Sequence, residues 1–162
     1  MINTFKNFGQ EAIHDDRFLT AVGAVSSVFG GLRFFWSFLV DRYSFKVSYT
    51  TVVLINVVFG ATLVFVRDSK PLFMIWVSML IWAEGAHFSL VPTICAKLFG
   101  KHAPIVYGVA FSFGALSQII SAVLVRFYIH SVGYPAFYYI GSAMSLAALC
   151  LILFVFEEKR VC

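Results

Sequence analysis

Five apolar runs, each about long enough to cross a bilayer, divide this sequence and leave little room for any other fold. They cover residues 18–40, 49–66, 71–96, 104–127 and 135–156. A helix needs about 20 apolar residues to pass the hydrocarbon core. The breaks between runs are short and polar: "DRYSFKVS", "RDSK", "KLFGKH" and "YIHSVGY", with the tail "EEKRVC" at the end. Breaks this short make consecutive helices antiparallel neighbours. A helix pairs its backbone groups internally, as the hydrocarbon core demands. Barrel strands would alternate in polarity over about ten residues, and these runs do not alternate. The expected fold is therefore all-α, a multi-pass membrane bundle of about five transmembrane helices. Residues 1–17 form a polar N-terminal segment, 18–156 the helical domain and 157–162 a charged tail.

Composition agrees. Apolar residues make up 60% of the chain and charged residues 12%, against about 45–50% and about 25% in a soluble domain. The formal charge of +4 is carried by scattered residues. No basic cluster or aromatic-basic ladder is present, so nucleic acid is not an expected partner. Cys95, Cys150 and Cys162 are too far apart for a zinc site or a disulfide framework. They read as small buried or lipid-facing residues. The segment "MINTFKNFGQEAIHDDR" lacks the apolar centre of a signal peptide. Basic residues divide almost evenly between the two sides of the membrane, so orientation is only weakly marked.

Pro71, Pro104 and Pro135 stand at expected helix starts, where the missing N–H does no harm. Pro92 lies inside the third run, after Gly85, and should kink or loosen that helix. Two readings stand: a tolerated kink, or a hinge formed by Gly85 and Pro92.

The chemistry sits inside the runs. In the first, Gly23, Ser26, Ser27, Gly30, Arg33 and Ser37 form one stripe of small and polar residues, while Phe29, Phe34, Phe35 and Phe38 take much of the rest. Such a stripe lets another helix approach closely, or it lines a watery path. Arg33 costs about 2.5–3.5 kcal/mol at mid-membrane on insertion scales. Its place on the small stripe points it inward, where a guanidinium fork suits a carboxylate. The alternative is snorkelling to the interface. In the third run, Glu84 and His87 are three residues apart and share a helix face. They suit proton or substrate coupling, or they satisfy each other, or Glu84 simply partners Arg33. In the fourth run Gly114, Ser117, Gln118 and Ser121 share a side, and Gln118 can bond a substrate or a neighbouring helix. Gly141, Ser145 and Ala148 in the fifth read as a packing ridge. No enzyme, metal or cofactor motif is present.

The turn "SFLVDRYSFK" resembles the signature of the major facilitator superfamily, roughly G-x-L-x-D-R-x-G-R-K. Leu39, Asp41, Arg42 and Lys46 match, and Ser37 and Ser44 replace the two glycines. The stretch "HFSLVPTICAKLFGKHAPIVYG" resembles the tenth-to-eleventh-helix region of oxalate/formate-antiporter-like and monocarboxylate-transporter-like carriers. Arg33 matches the position of their carboxylate-binding arginine. The resemblance implies helices eight to twelve of a twelve-helix carrier, with residues 1–17 a remnant of the seventh helix and its loop. It implies secondary transport of a small organic anion whose carboxylate Arg33 attracts; with the residue readings above, Glu84 and His87 would tune the site or couple protons and Gln118 would bond the substrate. Asp41, Arg42 and Lys46 would close the cytoplasmic side. The partners implied are the lipid bilayer and a complementary N-terminal half. The other expectation is a non-transporting structural or regulatory subunit, in which Arg33 and Glu84 act as ion-pair glue.

Overall fold

A computed structural model describes residues 4–154, without the side chains of residues 128 and 130–132. The charged tail, the end of the fifth run at Phe156, Cys162 and the His130 side chain lie outside the described residues. Six α-helices follow in order: α1 Phe5–Ile13, α2 Asp16–Gly31, α3 Phe34–Arg42, α4 Phe45–Thr62, α5 Lys70–Phe99 and α6 Ala103–Phe154. No strand occurs among the described residues.

Local chemistry sets the starts. Asp15 caps α2, its side chain accepting the Phe18 N–H at 3.1 Å. Ser44, which stands where the signature turn carries glycine, caps α4 by accepting the Val47 N–H at 3.2 Å. Pro71 opens α5.

One expectation needs correcting. The first apolar run is not one helix. Helix α2 ends at Gly31, residues 32 and 33 form a turn, and α3 resumes at Phe34. Gly30 and Gly31 weaken the helix there. The Leu32 N–H then divides between the carbonyls of Phe29 (3.0 Å) and Val28 (3.3 Å). Phe35 donates to Leu32 and Trp36 to Arg33, both at 3.1 Å. A three-residue spacing has replaced the four-residue one. A break in a membrane helix needs outside partners, and Ser89 on α5 supplies one by donating to the Arg33 carbonyl at 3.1 Å.

The last two runs are joined more tightly than a loop would join them. Helix α6 carries both, broken only at Gly133, whose φ of 78° and ψ of 162° are not helical. Pro135 thus stands in the first turn of the second arm, Gly133–Phe154, a span of its own that begins at this kink, in line with its expected place at a helix start. The two arms lie side by side, because residues from 117–129 and from 133–144 wall one narrow cleft.

Helix α5 is the hub. It packs against α2 and α3 on one side, α4 on another and α6 on a third. Two clusters hold the bundle. Phe8, Leu19, Val22, Leu63, Phe73, Val77, Leu80 and Tyr138 form the first. Trp36, Val40, Phe45, Val52, Ala83, Ala86 and Leu90 form the second. Between membrane helices such clusters act through close packing, since lipid is as apolar as leucine. The small stripe of α2 is one packing seam. Ser26 meets Ser78 of α5 in a buried hydrogen bond of 3.1 Å. A Cβ on Gly85 would lie 3.4 Å from the Gly30 carbonyl oxygen.

Candidate functional site

The alternation of apolar and small polar residues on α4, α5 and α6 leaves a cavity of about 480 Å³ between them. Helix α5 contributes Glu84, His87, Phe88 and Val91, one face over two turns. Helix α4 adds Tyr49, Val53 and Asn56. The first arm of α6 brings Tyr107, Gly114, Ser117 and Gln118, and the second brings Ser145 and Ala148. The wall is thus mostly apolar and aromatic, with a few convergent polar groups, the usual make-up of a small-molecule site.

Three of the expected residues meet here: Glu84, His87 and Gln118. The His87 Nδ1 lies 3.3 Å from the Glu84 backbone oxygen, a hydrogen bond in the tautomer that carries the proton on Nδ1. The Tyr49 ring meets the imidazole edge-on, with centroids 5.4 Å apart. Asn56, which lines the cavity, donates back to the Val52 carbonyl at 3.3 Å. No metal-binding cluster of His, Cys, Asp or Glu exists among the described residues.

Arg33 is not a wall residue of this cavity. It sits in the turn between α2 and α3 with its side chain exposed. It nevertheless lies against α5: its Cβ is 3.7 Å from where a Cβ on Gly85 would lie. That close approach gives Gly85 a physical job in the helix seam. Helix α5 stays helical past both Gly85 and Pro92. Pro92 only withholds the N–H that would bond the Phe88 carbonyl.

The signature turn is built differently from a self-contained cluster. Asp41 pairs with Lys97 near the end of α5, Nζ to Oδ1 at 2.9 Å. Lys46 donates to the Leu153 carbonyl of α6 at 2.9 Å. Arg42 is exposed in the last turn of α3. One end of the bundle is thereby tied across α3, α4, α5 and α6. The opposite end has its own tie, Lys70 to Asp15 at 2.6 Å.

Sequence reasoning missed Tyr49, Asn56, Tyr107 and Lys97. Asn56 carried a signal, as a lone amide in an apolar run. Lys97 carried none, because its partner lies 56 residues away.

Residues 10–161, nearly the whole chain, match the family described as the Major Facilitator Superfamily. No curated protein and no solved structure matches the chain. The chain therefore belongs to the major facilitator superfamily, a family of membrane transporters, and is an integral multi-pass membrane protein.

Proposed function

We propose that this member of the superfamily carries the substrate-handling part of a proton-coupled secondary carrier for a small organic anion. The cavity shared by Glu84, His87 and Gln118 supports this reading. Glutamate and histidine inside a membrane span are functional candidates by default. Protonating both makes the cavity cationic and receptive to a carboxylate. Losing both protons makes it anionic and expels the same ligand. Tyr49, Tyr107, Asn56 and Gln118 offer hydrogen bonds to the solute, and Phe88 and Phe111 hold its apolar part. The ties of Asp41 to Lys97 and of Lys46 to Leu153 would release as that side opens. A complementary half, from another chain or from a longer product, would close the other wall.

The test is uptake of labelled propionate into vesicles containing the protein, driven by a pH gradient acid outside. Uptake should follow the gradient. Glu84→Gln and His87→Gln should each cut it by about tenfold or more, the effect of ~1.4 kcal/mol. Uptake at the wild-type level in both variants would sink the proposal.

The exposed first arm of α6 favours a second reading, a structural subunit of a membrane assembly. Among its described residues, 108–120 are all exposed. Loss of a co-purifying protein on substituting Phe113 and Leu116, with propionate uptake absent throughout, would favour that role.

A further inference from the structure

The cavity between α4, α5 and α6 does not end at Gln118. Ser117 walls both that cavity and the narrow cleft of about 390 Å³ between the two arms of α6. The walls adjoin on both arms. On the first, Gly114 and Gln118 of the cavity give way to Ile120, Ser121 and Leu124 of the cleft. On the second, Ala148 and Ser145 give way to Met144, Gly141 and Ile140. Along each arm these positions recur at three and four residues, which is one helix face. The chemistry changes where the two spaces meet. Glu84, His87 and Gln118 line the cavity, whereas the cleft presents Ile120, Leu124, Ile129, Phe137, Ile140 and Met144 and no titratable group among its described residues. The Ser117 hydroxyl is already donated to the Gly114 carbonyl at 2.7 Å. The polar end lies close to the junction. Helices α5 and α6 run antiparallel across the short turn Gly100–His102, and Phe88 meets Phe111 with ring centroids 6.1 Å apart. Glu84, one turn before Phe88, is then level with Ala115, one turn after Phe111. From Ser117 the cleft runs on two turns to Leu124, about 10 Å at the rise of a helix.

We propose that the organic anion is a long-chain fatty acid, held with its carboxylate in the cavity and its hydrocarbon tail in the cleft between the arms of α6. The proposal rests on the organic-anion reading for the carboxylate end, and on the cleft for the tail. Ile120, Ile140 and Met144 are exposed, so the cleft opens sideways onto the bilayer. A tail lying there exchanges lipid for surroundings equally apolar, at little cost. The carboxylate is the one part that needs polar partners at membrane depth. Glu84, His87 and Gln118 stand beside the junction to provide them. A short acid such as propionate fits the cavity and leaves the cleft empty of its own atoms. A longer chain outgrows the cavity, and the junction at Ser117 gives it an apolar way on. The open side also gives a fatty acid already dissolved in the bilayer a direct way in.

The test uses the purified chain in lipid bicelles and palmitate carrying a diazirine at the end of its tail. After irradiation the labelled peptides are mapped by mass spectrometry. Label should fall on residues 120–144, and excess plain palmitate should cut it by about tenfold or more. Palmitate methyl ester, which lacks the charge, should compete about tenfold more weakly. Equal competition by the ester, or equal labelling from a phosphatidylcholine with the same tail diazirine, gives the cleft to any membrane chain and overturns the proposal. Absence of label from 120–144 overturns it too, and a dimer in the same bicelles would then give the cleft to a second copy. Ser121→Trp, which fills the cleft, should cut the label about tenfold while propionate uptake keeps its wild-type level. An unchanged label overturns the cleft as the place of the tail. Should that variant fail to fold, the label map and the ester comparison on the unaltered chain decide. Propionate uptake with no palmitate label sinks this inference and spares the organic-anion reading. Carboxylate-dependent label without propionate uptake supports the fatty-acid site and overturns the transport of short anions.

Discussion

Helix α5 and the first arm of α6 are both apolar runs interrupted by small polar residues, yet they live in different surroundings. On α5, Phe73, Val77, Leu80, Ala83, Ala86, Leu90 and Cys95 are buried at successive turns, against α2, α3, α4 and α6. On the first arm of α6, residues 108–120 are exposed throughout. Hydropathy qualifies both for the membrane and says nothing about which helix gains neighbours. The difference is spacing. Small residues of α5 face Gly30, Ser26 and Arg33 closely enough for backbone approach. A Cβ on Gly108 or Gly114 of α6 would meet nothing within 4 Å.

The contrast predicts graded effects. Leu90 is fully buried and Leu116 is 51% exposed. Leu90→Ala should destabilise by about 2–5 kcal/mol, whereas Leu116→Ala should stay within about 0.5 kcal/mol. Thermal unfolding in bicelles measures both, and equal losses would erase the distinction between the helices. Next in size is Gly85→Leu. It forces a side chain against the Gly30 carbonyl, at a cost of about 1–3 kcal/mol. Gly114→Leu meets open space and should be near neutral by the same assay.

The ties at the two ends of the bundle are weaker levers. Lys97 and Asp41 are both solvent-exposed, so Asp41→Asn should cost about 0.2–1 kcal/mol. That loss should shrink when the melt is repeated in high salt. Asp15 gives the smallest effect. The hydrogen bond from Lys70, then that from the Phe18 N–H, hold its carboxyl below the ordinary aspartate value. The folded form thus binds its proton later than the unfolded chain does. Its stabilisation is complete above about pH 3.8 and disappears as pH falls through the lowered folded value. Asp15→Asn should flatten that stretch of an acid titration followed by circular dichroism, and leave the curve at neutral pH almost unchanged.

Much of this was legible in the residues. The common wall of Glu84 and His87 followed from their spacing of three on a helix. Gln118 was visible as an amide among apolar neighbours. Other features were not local. The break at Leu32 follows Gly30 and Gly31, but two glycines in an apolar run do not announce a turn. Ser89, 56 positions away, adds a second hydrogen bond to the Arg33 carbonyl that the Trp36 N–H already meets. Arg33 looked inward on a continuous helix. On the broken one it sits beside Gly85 and outside the cavity wall.

The sequence by itself determined that the chain crosses a bilayer several times as helices, because hydrocarbon leaves a backbone few other ways to satisfy its hydrogen bonds. It also determined the family, since residues 10–161 match it on sequence alone. The tertiary structure decided which polar groups share a cavity, where the first span breaks and which lysine holds Asp41. Those outcomes depend on contacts between segments far apart in the chain, and hydropathy, being a property of each segment alone, carries no record of them.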